Sequence, residues 1–585
     1  MGDSPHEVSR RGFMKAAGLG AFAAAAATGA FGLAGCSHDA PEQAVKSTAG
    51  GVANWSTDLY HDVFPVATRS IPVIDAKCET TRQGNVAFVA GPIPESDIRR
   101  TEECDVLVAG AGITGIIAAV SASDDGTTKV FCFEKMSEGR GIFEGCAVSG
   151  GKKMEEAGYE MDKAEMMDRL RHAAYYRVPV GPIECWADNS PEAADWLQDK
   201  FDEGEGQIET YFKMNSVNAH HFDVPQTELA FRSEQWSAQT TNNAGGAGIM
   251  IVRDLAKTFA KRANADLRYN TPVVKLERSA EGRVTGAICK DSDGYFRVNA
   301  AKGVILATGG FDNNPAMLKA WCRAEDIANT SSWVPTEGTT GDGQLMGLEI
   351  GGQMDPLPAC IMNFDFGNDD SFYGRGTTGL VSQGLMINQD GVRFCAEDLP
   401  FQARGNAISA QKGYGENTFR VLSATQFNAM KERLAASWDN VSDALANYKA
   451  KGFFYEAASL DDLAAQMGVP AKALKQTIAR YNRFVDNRKD EDFNRTMTTA
   501  TKFEGSEWYA FRHQQTILAT CSGLVVDYDL HVLDYDNEPI EGLYAAGGAS
   551  GGFFHTNYPR HIFGPSAGRC LTFGYVSGKN AAKGV

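Results

Sequence analysis

The sequence predicts an α/β fold whose first domain is built on a strand, a glycine turn and a helix. A short apolar run, 105–109, is β-like, and residues 110–115 then read Gly-Ala-Gly-Ile-Thr-Gly. Small apolar residues over 116–123 have the composition of a helix, and a second apolar run, 129–133, ends at Glu134. The acid follows the last glycine by about 20 residues, which completes the pattern of a dinucleotide-binding Rossmann unit.

Each part of this unit has a physical role in holding a dinucleotide. Gly110 permits the tight turn, Gly112 lets the backbone approach a pyrophosphate, and Gly115 lets the helix pack closely on the strand. The amino end of the helix favours the phosphate charge. Glu134 is placed to accept hydrogen bonds from ribose hydroxyl groups. The predicted cofactor contacts of the unit are Gly110, Ala111, Gly112, Thr114, Gly115 and Glu134.

The composition is that of a soluble globular protein with more than one domain. At 585 residues the chain exceeds one simple core, and 43% hydrophobic and 22% charged residues are ordinary values. The net charge of −18 argues against nucleic acid and against an anionic membrane surface as partners. The twelve cysteines include no C-x-x-C pair, so no metal, haem or iron–sulfur site is predicted. The sequence leaves open whether any two of them form a disulfide.

The amino terminus, 1–36, has the features of an export signal. A twin-arginine pair, Arg10-Arg11, precedes an apolar run of Ala, Gly and Phe over 16–34. The run ends in Leu-Ala-Gly-Cys, which resembles a lipoprotein processing box, so we expect its cysteine, Cys36, to carry a lipid anchor. An uncleaved signal anchor and cleavage without lipid are the alternatives. Residues 37–100 are interpreted as a tether and lead-in.

The stretch after the ribose acid carries a resemblance to a known family. Residues 135–141 read Lys-Met-Ser-Glu-Gly-Arg-Gly, and residues 147–151 read Ala-Val-Ser-Gly-Gly. They resemble part of the flavoprotein subunits of fumarate reductase and succinate dehydrogenase, and of soluble relatives such as urocanate reductases, 3-ketosteroid dehydrogenases and cardiac glycoside reductase. The resemblance implies a Rossmann-like FAD-binding domain with an inserted α+β capping domain.

The glycine-rich loop of this family runs under the flavin. The resemblance therefore implies cofactor contacts from Lys135, Gly150 and Gly151. Some members carry in this loop a histidine that binds FAD covalently, and this chain has Glu144 there. Non-covalent FAD is implied.

Four further stretches match the family in chain order. Residues 271–276 resemble a strand near the adenine, and residues 304–310, Val-Ile-Leu-Ala-Thr-Gly-Gly, resemble the second FAD-contacting motif. Residues 340–343, Thr-Gly-Asp-Gly, resemble the start of a helix near the flavin. Residues 542–548 resemble the strand beside the ribityl chain, with Gly548 in place of its usual acid. The implied cofactor contacts are Val274, Ala307, Thr308, Gly309, Asp342, Gly547 and Gly548.

The glycine motifs stop between about 357 and 519, where a hairpin is predicted over 385–394. Helical patterns follow at 425–435, 460–467 and 471–488. By resemblance, 357–519 is the capping domain, which closes over the flavin with the substrate between domains. The FAD-binding domain then comprises 101–356 and 520–585.

The residues that bind a dicarboxylate in fumarate reductases are altered in this chain. By alignment with the family, Ala359 and Ala519 stand at two histidine positions. The Gly-x-Arg-Phe motif, 391–394, keeps Glu397 but has Ala396 where the family has asparagine. A buried carboxylate without cationic partners is expensive. We therefore predict that fumarate is not the substrate.

The carboxyl-terminal stretch resembles 3-ketosteroid dehydrogenases instead. Their Y-P…G-P-A…T-F-G pattern is matched by Tyr558-Pro559, residues 563–569 and residues 573–574. In those enzymes the tyrosine hydrogen-bonds a ketone oxygen, which implies carbonyl activation by Tyr558. The alternative is an aromatic residue packed beside the flavin. The resemblance also implies backbone contacts from Ser566 and Ala567 to the flavin, followed by a helix whose amino end favours negative charge on the reduced ring.

Three more residues are candidates for the substrate pocket. Arg404 is the nearest arginine after the Gly-x-Arg-Phe motif, and it is either a proton donor or substrate clamp, or a surface or salt-bridge arginine. Arg560 and His561 closely follow the tyrosine. The predicted catalytic residues are Tyr558, Arg404, Arg560 and His561.

Together these features predict an exported, lipid-anchored, FAD-dependent reductase acting on a C=C bond conjugated to a carbonyl. The substrate is expected to be an enone or acrylate that takes a hydride at its β-carbon and a proton at its α-carbon. Electrons must come from an external donor, such as a cytochrome or quinol system, because the sequence has no haem or iron–sulfur motif. The alternatives are a 3-ketosteroid-type dehydrogenase, which runs the reaction in reverse, and a non-catalytic flavoprotein that carries electrons or binds a ligand.

Overall fold

The computed structural model describes residues 91–141, 145–213, 228–233, 246–328, 331–332, 338–365, 384–435, 438–559 and 562–585. All of them fall in one unit, 53–585, whereas a second unit, 1–52, lies outside them. Four predictions also lie outside the described residues: the export signal with Cys36, the loop residue Glu144, and the pocket candidates Arg560 and His561. Within the described ranges, no helix has the length and apolar character needed to cross a membrane.

The strands of the described residues are β1 (Ile98–Ala109), β2 (Val130–Phe133), β3 (Gly145–Ala147), β4 (Glu209–Phe212), β5 (Glu228–Arg232), β6 (Ala265–Arg268), β7 (Val273–Arg278), β8 (Val284–Asp291), β9 (Gly294–Leu306), β10 (Ser331–Ser332), β11 (Ile361–Phe364), β12 (Leu385–Ile387), β13 (Phe419–Ser423), β14 (Phe454–Ala457), β15 (Trp508–Arg512), β16 (Thr516–Thr520), β17 (His531–Leu533) and β18 (Pro539–Ala545). The helices are α1 (Ile113–Ala122), α2 (Lys152–Glu156), α3 (Lys163–Ala173), α4 (Val180–Glu203), α5 (Gly246–Ala260), α6 (Pro315–Trp321), α7 (Ala324–Ile327), α8 (Asp342–Glu349), α9 (Phe401–Ser409), α10 (Ala424–Arg433), α11 (Trp438–Ala450), α12 (Leu460–Met467), α13 (Ala471–Asn487) and α14 (Pro565–Lys583).

The largest sheet is built around β1. Its strand order is β17-β18-β9-β1-β2-β6, and the antiparallel hairpin β7–β8 joins it through β9. The pairs β1–β2, β1–β9, β2–β6 and β9–β18 are parallel. The last residues of β1 and all of β2 are buried, as expected for parallel strands covered on both faces. The predicted Rossmann-like unit is therefore present.

The first strand is longer than its apolar run. β1 begins at Ile98, within the charged stretch that we predicted to be a lead-in, and pairs with β9 from Ile98↔Tyr295 onward. Its charged side chains have partners on other strands of the same sheet: Arg100 of β1 pairs with Asp291 of β8 at 2.6 Å. Glu102 pairs with Arg268 at 2.7 Å. Cross-strand ion pairs explain why a charged sequence continues the strand.

A second hydrophobic core lies within the region predicted to be the capping domain. The antiparallel sheet β12-β13-β15-β14 packs with α12 and α13 around a buried cluster. Its largest side chains include Phe419, Tyr481, Phe484, Phe503 and Trp508. The α+β character predicted for 357–519 agrees with these elements, whereas the boundaries stay a prediction. Of the hairpin predicted over 385–394, the structure has the first strand, β12, and a single antiparallel bridge between Ile387, the last residue of β12, and Arg393.

The last helix, α14, is positioned by small residues against α1. A Cβ at Gly574 would lie 2.7 Å from the carbonyl oxygen of Thr114, and a Cβ at Gly578 would lie 2.4 Å from that of Ala118. Only glycine permits so close an approach of two helix backbones. This packing brings the amino end of α14 to the glycine turn after β1.

Candidate functional site

A cavity of about 390 Å³ opens at the carboxyl ends of the parallel strands. Its walls include the last residues of β1 and β2 and the turns after β9 and β18. This edge of an open α/β sheet is where ligands bind. The predicted cofactor residues that line the cavity are Gly110, Gly112, Thr114, Glu134, Lys135, Ala307, Thr308, Gly309, Asp342, Gly548 and Ser566.

The glycine turn is packed so tightly that side chains are excluded. Gly110 has a φ of +98°, and a Cβ there would lie 2.6 Å from the carbonyl oxygen of Ala307. A Cβ at Gly115 would lie 1.8 Å from the carbonyl oxygen of Gly110, and one at Gly112 would lie 2.8 Å from that of Arg140. Gly115 therefore packs beneath the turn, while Gly110 and Gly112 allow the backbones of Ala307 and Arg140 to approach it closely.

Glu134 stands at the end of β2 with its carboxylate held by backbone. Its Oε2 accepts the N–H of Ala111 at 2.9 Å, and its Oε1 accepts the N–H of Met136 at 2.9 Å. Burial raises the pKa of Glu134, while these two hydrogen bonds oppose the shift. Each carboxylate oxygen keeps a further lone pair, which suits the hydroxyl groups of a ribose. Ala111 does not line the cavity, and its backbone N–H instead helps to hold the Glu134 carboxylate in place.

An ion pair crosses the cavity wall between the turn after β2 and the start of α8. The Nζ of Lys135 donates to Asp342 Oδ2 at 2.6 Å and to the hydroxyl of Thr340. The amide of Gly343 donates to Thr308 Oγ1 at 3.1 Å. The predicted motifs at 304–310 and 340–343 are therefore joined directly to each other.

Gln344 holds two of the cofactor turns together, and sequence reasoning missed it. Its Nε2 donates to the carbonyl oxygens of Gly309 at 3.0 Å and Gly548 at 3.1 Å. The side chain is fully buried. The one sequence signal was its place directly after the Thr-Gly-Asp-Gly motif.

Asp312 is a second residue that sequence reasoning missed. It lines the cavity and accepts hydrogen bonds from the Thr520 N–H and hydroxyl, both at 3.1 Å, and from the hydroxyl of Thr339. Burial raises the pKa of Asp312, and these donors oppose the shift. Asp312 thereby fixes the wall formed by β16.

Besides Ala111, six predicted cofactor residues do not line the cavity. Gly547 packs on Thr114, since a Cβ there would lie 2.3 Å from Thr114 Oγ1. Gly150 and Gly151 pack on Pro191 of α4. The others are Gly115, Val274, whose neighbour Val273 lines the cavity, and Ala567, which follows Ser566 in α14.

Tyr558 lies at the amino end of α14. Its side chain is 3% exposed and packs against Phe554, with the ring centroids 5.2 Å apart. The amide N–H of Ser566 donates to the Tyr558 hydroxyl oxygen at 3.1 Å. Ser566 lines the cavity, so this hydrogen bond connects the Tyr558 hydroxyl to a residue of the cavity lining. A hydrogen bond received by the oxygen polarises the O–H group and makes it a stronger donor.

Arg404 lies in a buried ion cluster of the predicted capping region. It donates to both carboxylate oxygens of Asp365, and to the carbonyl oxygens of Glu397 and Leu399. Arg420 donates to the same Asp365 at 2.8 Å. Burial opposes ionisation of Asp365, but the two guanidinium charges outweigh it and lower its pKa to about 2. The structure thus shows the salt-bridge alternative for Arg404, and its role as proton donor stays a prediction.

The wall formed by β16 is apolar at Ala519, the residue that we predicted to stand at a histidine position of the family. Leu518 and Ala519 both line the cavity, and Ala359 is fully buried. In the described part of the chain, no group of three His, Cys, Asp or Glu side chains is arranged as a metal site. The cationic groups that line the cavity in the described residues, Lys135 and Arg140, follow the end of β2, whereas the charged group beside β16 is the carboxylate of Asp312.

Comparison with known proteins identifies the family of this chain and its cofactor. The sequence profile of the FAD binding domain family matches residues 105–561. The chain is 25% identical over 578 residues to 4-oxocyclohex-2-ene-1-carboxylate 5-dehydrogenase of Sinomonas cyclohexanicum, covering 83% of this chain and 94% of that protein. It is 27% identical over 501 residues to a probable fumarate reductase of Shewanella frigidimarina (strain NCIMB 400), covering 85% of this chain and 76% of that protein.

Among solved structures, 3-ketosteroid Δ1-dehydrogenase from Sterolibacterium denitrificans, in complex with 1,4-androstadiene-3,17-dione, shares the fold with a TM-score of 0.67. The match has 18% identity and covers 82% of this chain and 100% of that structure. The tightly packed glycine turn and the Glu134 carboxylate, held by two backbone N–H groups, are features that fit the binding of FAD. The predicted resemblance is therefore confirmed: the chain belongs to the FAD binding domain family, binds FAD and is an FAD-dependent oxidoreductase.

Proposed function

We propose that this enzyme acts on a CH–CH bond, and that it reduces the C=C bond of an enone or acrylate other than fumarate. The observation that carries the proposal is the hydrogen bond from the Ser566 N–H to the Tyr558 hydroxyl, at the edge of the FAD cavity. A phenol polarised in this way suits a carbonyl oxygen, since it donates a hydrogen bond without requiring a charged substrate.

The apolar wall supports the exclusion of fumarate. Leu518 and Ala519 offer no cation to a carboxylate, and Ala359 stands at the other position where the family has histidine. Burying a carboxylate without a charged or hydrogen-bonding partner costs several kcal/mol. The similarity to a probable fumarate reductase covers 85% of this chain, and we propose that the two enzymes differ at these substrate-binding positions.

Reduced FAD, when bound, supplies the hydride. The protein's own residues do the rest: Tyr558 polarises the carbonyl, so that negative charge developing at its oxygen is stabilised. The apolar side chains of β16 exclude water from the reacting face. The proton for the α-carbon is proposed to come from Tyr558 or Arg404, of which Tyr558 accepts a hydrogen bond from Ser566, a residue of the cavity lining.

The cellular setting is part of the same proposal. We propose export by the twin-arginine route, a lipid anchor at Cys36, non-covalent FAD because Glu144 replaces a linking histidine, and a cytochrome or quinol system as electron donor. The composition of residues 1–36 supports export, and a lipid anchor would hold the enzyme beside membrane-bound donors.

Product analysis tests this function. The FAD-loaded full chain is supplied with a reduced viologen dye, without oxygen, and with a cyclic enone. We expect the saturated ketone, heavier than the enone by two hydrogen atoms, with one electron pair consumed for each product. Oxidation of the dye without any change in the enone would exclude the proposal.

The dehydrogenase direction is the second candidate. It is favoured by the similarity to a 5-dehydrogenase of a cyclohexenone carboxylate and by the shared fold with a ketosteroid dehydrogenase. The same enzyme is therefore incubated with the saturated ketone and an oxidised dye. Faster formation of the enone than its reduction, at matched driving force, would assign the dehydrogenase.

A further inference from the structure

Two cysteines stand opposite each other where two strands meet. β11 and β16 are antiparallel with Ile361 opposite Thr520, so the next pair along is Cys360 and Cys521. The N–H of Cys521 donates to the carbonyl oxygen of Cys360 at 2.8 Å. Hydrogen-bonded antiparallel pairs have Cα atoms about 5.5 Å apart, which lies within the range that a disulfide spans.

The two thiols interact with each other inside the protein. Both are free cysteines and fully buried. The adjacent Cys360 thiol lowers the pKa of the Cys521 thiol, while burial raises that of Cys360. Cys521 is therefore the first of the two to become a thiolate, which is the form that reacts.

The pair lies beside the FAD cavity. The three residues before Cys521, Leu518 to Thr520, all line the cavity. The Ser566 side chain, another residue of the cavity wall, also lowers the pKa of the Cys521 thiol. Both cysteines belong to the larger buried core, which includes β1 and β2.

We propose that Cys360 and Cys521 are a dithiol–disulfide couple that exchanges electrons with FAD. On oxidation, two S–H bonds break and one S–S bond forms, and two electrons and two protons pass to oxidised FAD, giving FADH₂. External thiol oxidants must reach a sulfur atom to react, and both sulfurs are buried. The disulfide would add a covalent link between β11 and β16, which are already paired by backbone hydrogen bonds in the dithiol form.

A reductive titration tests the couple. The FAD-loaded full chain is titrated with dithionite under anaerobic conditions, with flavin absorbance as the readout. We expect two electron pairs per chain for the wild type and one pair for the Cys360→Ser variant. Cys395→Ser is the matched control, because its buried thiol contacts Met386 instead, at 3.6 Å. Uptake of a single pair by the wild type would overturn the proposal.

Peptide mapping tests the same couple without any variant. Trypsin releases Cys360 in residues 324–375 and Cys521 in residues 513–560, each without another cysteine. Reduced protein equilibrated with oxidised FAD, denatured and alkylated should yield these peptides linked, lighter by two hydrogen atoms. Full alkylation of both cysteines, or equal linkage in protein stripped of FAD without oxygen, would overturn the proposal. These results do not depend on the substrate, so they are independent of the proposed reaction.

Discussion

Tyr558 is the side chain on which the proposed carbonyl activation depends. Tyr558→Phe removes the hydroxyl and keeps the ring against Phe554. We expect kcat for enone reduction to fall about 100-fold or more, the usual range for losing an acid–base group, with unchanged FAD content. Anaerobic steady-state rates and the flavin-to-protein ratio measure both quantities.

The matched control for Tyr558 is Tyr575, which lies on α14. The Tyr575 hydroxyl donates to Glu192 at 2.7 Å, outside the cavity. Tyr575→Phe should leave kcat within about twofold, since a partly exposed polar contact contributes little. Equal losses in the two variants would assign Tyr558 a packing role.

Glu134 holds the glycine turn and, by the proposed geometry, the ribose. In Glu134→Gln one carboxylate oxygen becomes an amide NH₂ group, which cannot accept a hydrogen bond. The backbone N–H of either Ala111 or Met136 therefore loses its acceptor. A hydrogen bond to a charged group is worth about 1.5–3 kcal/mol, so the Kd for FAD should rise about 10- to 100-fold. Fluorescence titration of FAD into the apoprotein measures it. Glu192→Gln is the control, and an unchanged Kd in Glu134→Gln would contradict the assigned role.

At the scale of elements, the ion cluster of Asp365, Arg404 and Arg420 ties β11 to α9 and β13. Asp365→Asn leaves two buried guanidinium groups without a carboxylate. We expect a loss of about 3–5 kcal/mol in the free energy of unfolding, measured by denaturant titration. Asp461→Asn removes an exposed pair with Lys475 and should cost less than about 1 kcal/mol.

The same cluster predicts a dependence of stability on pH. The pKa of Asp365 is lowered from 3.8 to about 2 in the folded protein. Its contribution, about 2 kcal/mol, is therefore fully present above about pH 4 and is lost as the pH falls through about 2. Asp365→Asn should lack this loss when unfolding is followed between these pH values. Parallel wild-type and variant curves would contradict the assignment.

Elements formed by neighbouring residues were predictable from the sequence, and contacts between distant segments were not. The strand, turn and helix around Gly110 follow from local spacing, and α12 has the predicted bounds. In contrast, Asp312 reaches Thr520 across 208 residues, and Gln344 reaches Gly548 across 204. Nothing local marks such partners, since they are set by how the sheets pack. Arg404 shows the same limit, because only the fold reveals the carboxylate beside it.

At the scale of the whole molecule, the export signal gives a prediction that is independent of catalysis. Replacing both arginines, Arg10→Lys and Arg11→Lys, should retain the protein in the cytoplasm, because the twin-arginine pair is the recognised address. Cys36→Ala should still be exported but should leave the membrane fraction, since its lipid is lost. Immunoblots of cell fractions and the mass of the amino-terminal peptide check both. Wild-type distribution of both variants would contradict export by this route.

Hydride transfer to an enone or acrylate, with rejection of fumarate, is the central claim. Its most direct test follows flavin absorbance after anaerobic photoreduction of the FAD-loaded chain and rapid mixing with fumarate, an aryl acrylate or a steroid enone. We expect fast reoxidation by the enone or the acrylate, slowed in Tyr558→Phe, and no reoxidation by fumarate. Fast reoxidation by fumarate would contradict the account and would show that other cations replace the histidines missing at Ala359 and Ala519.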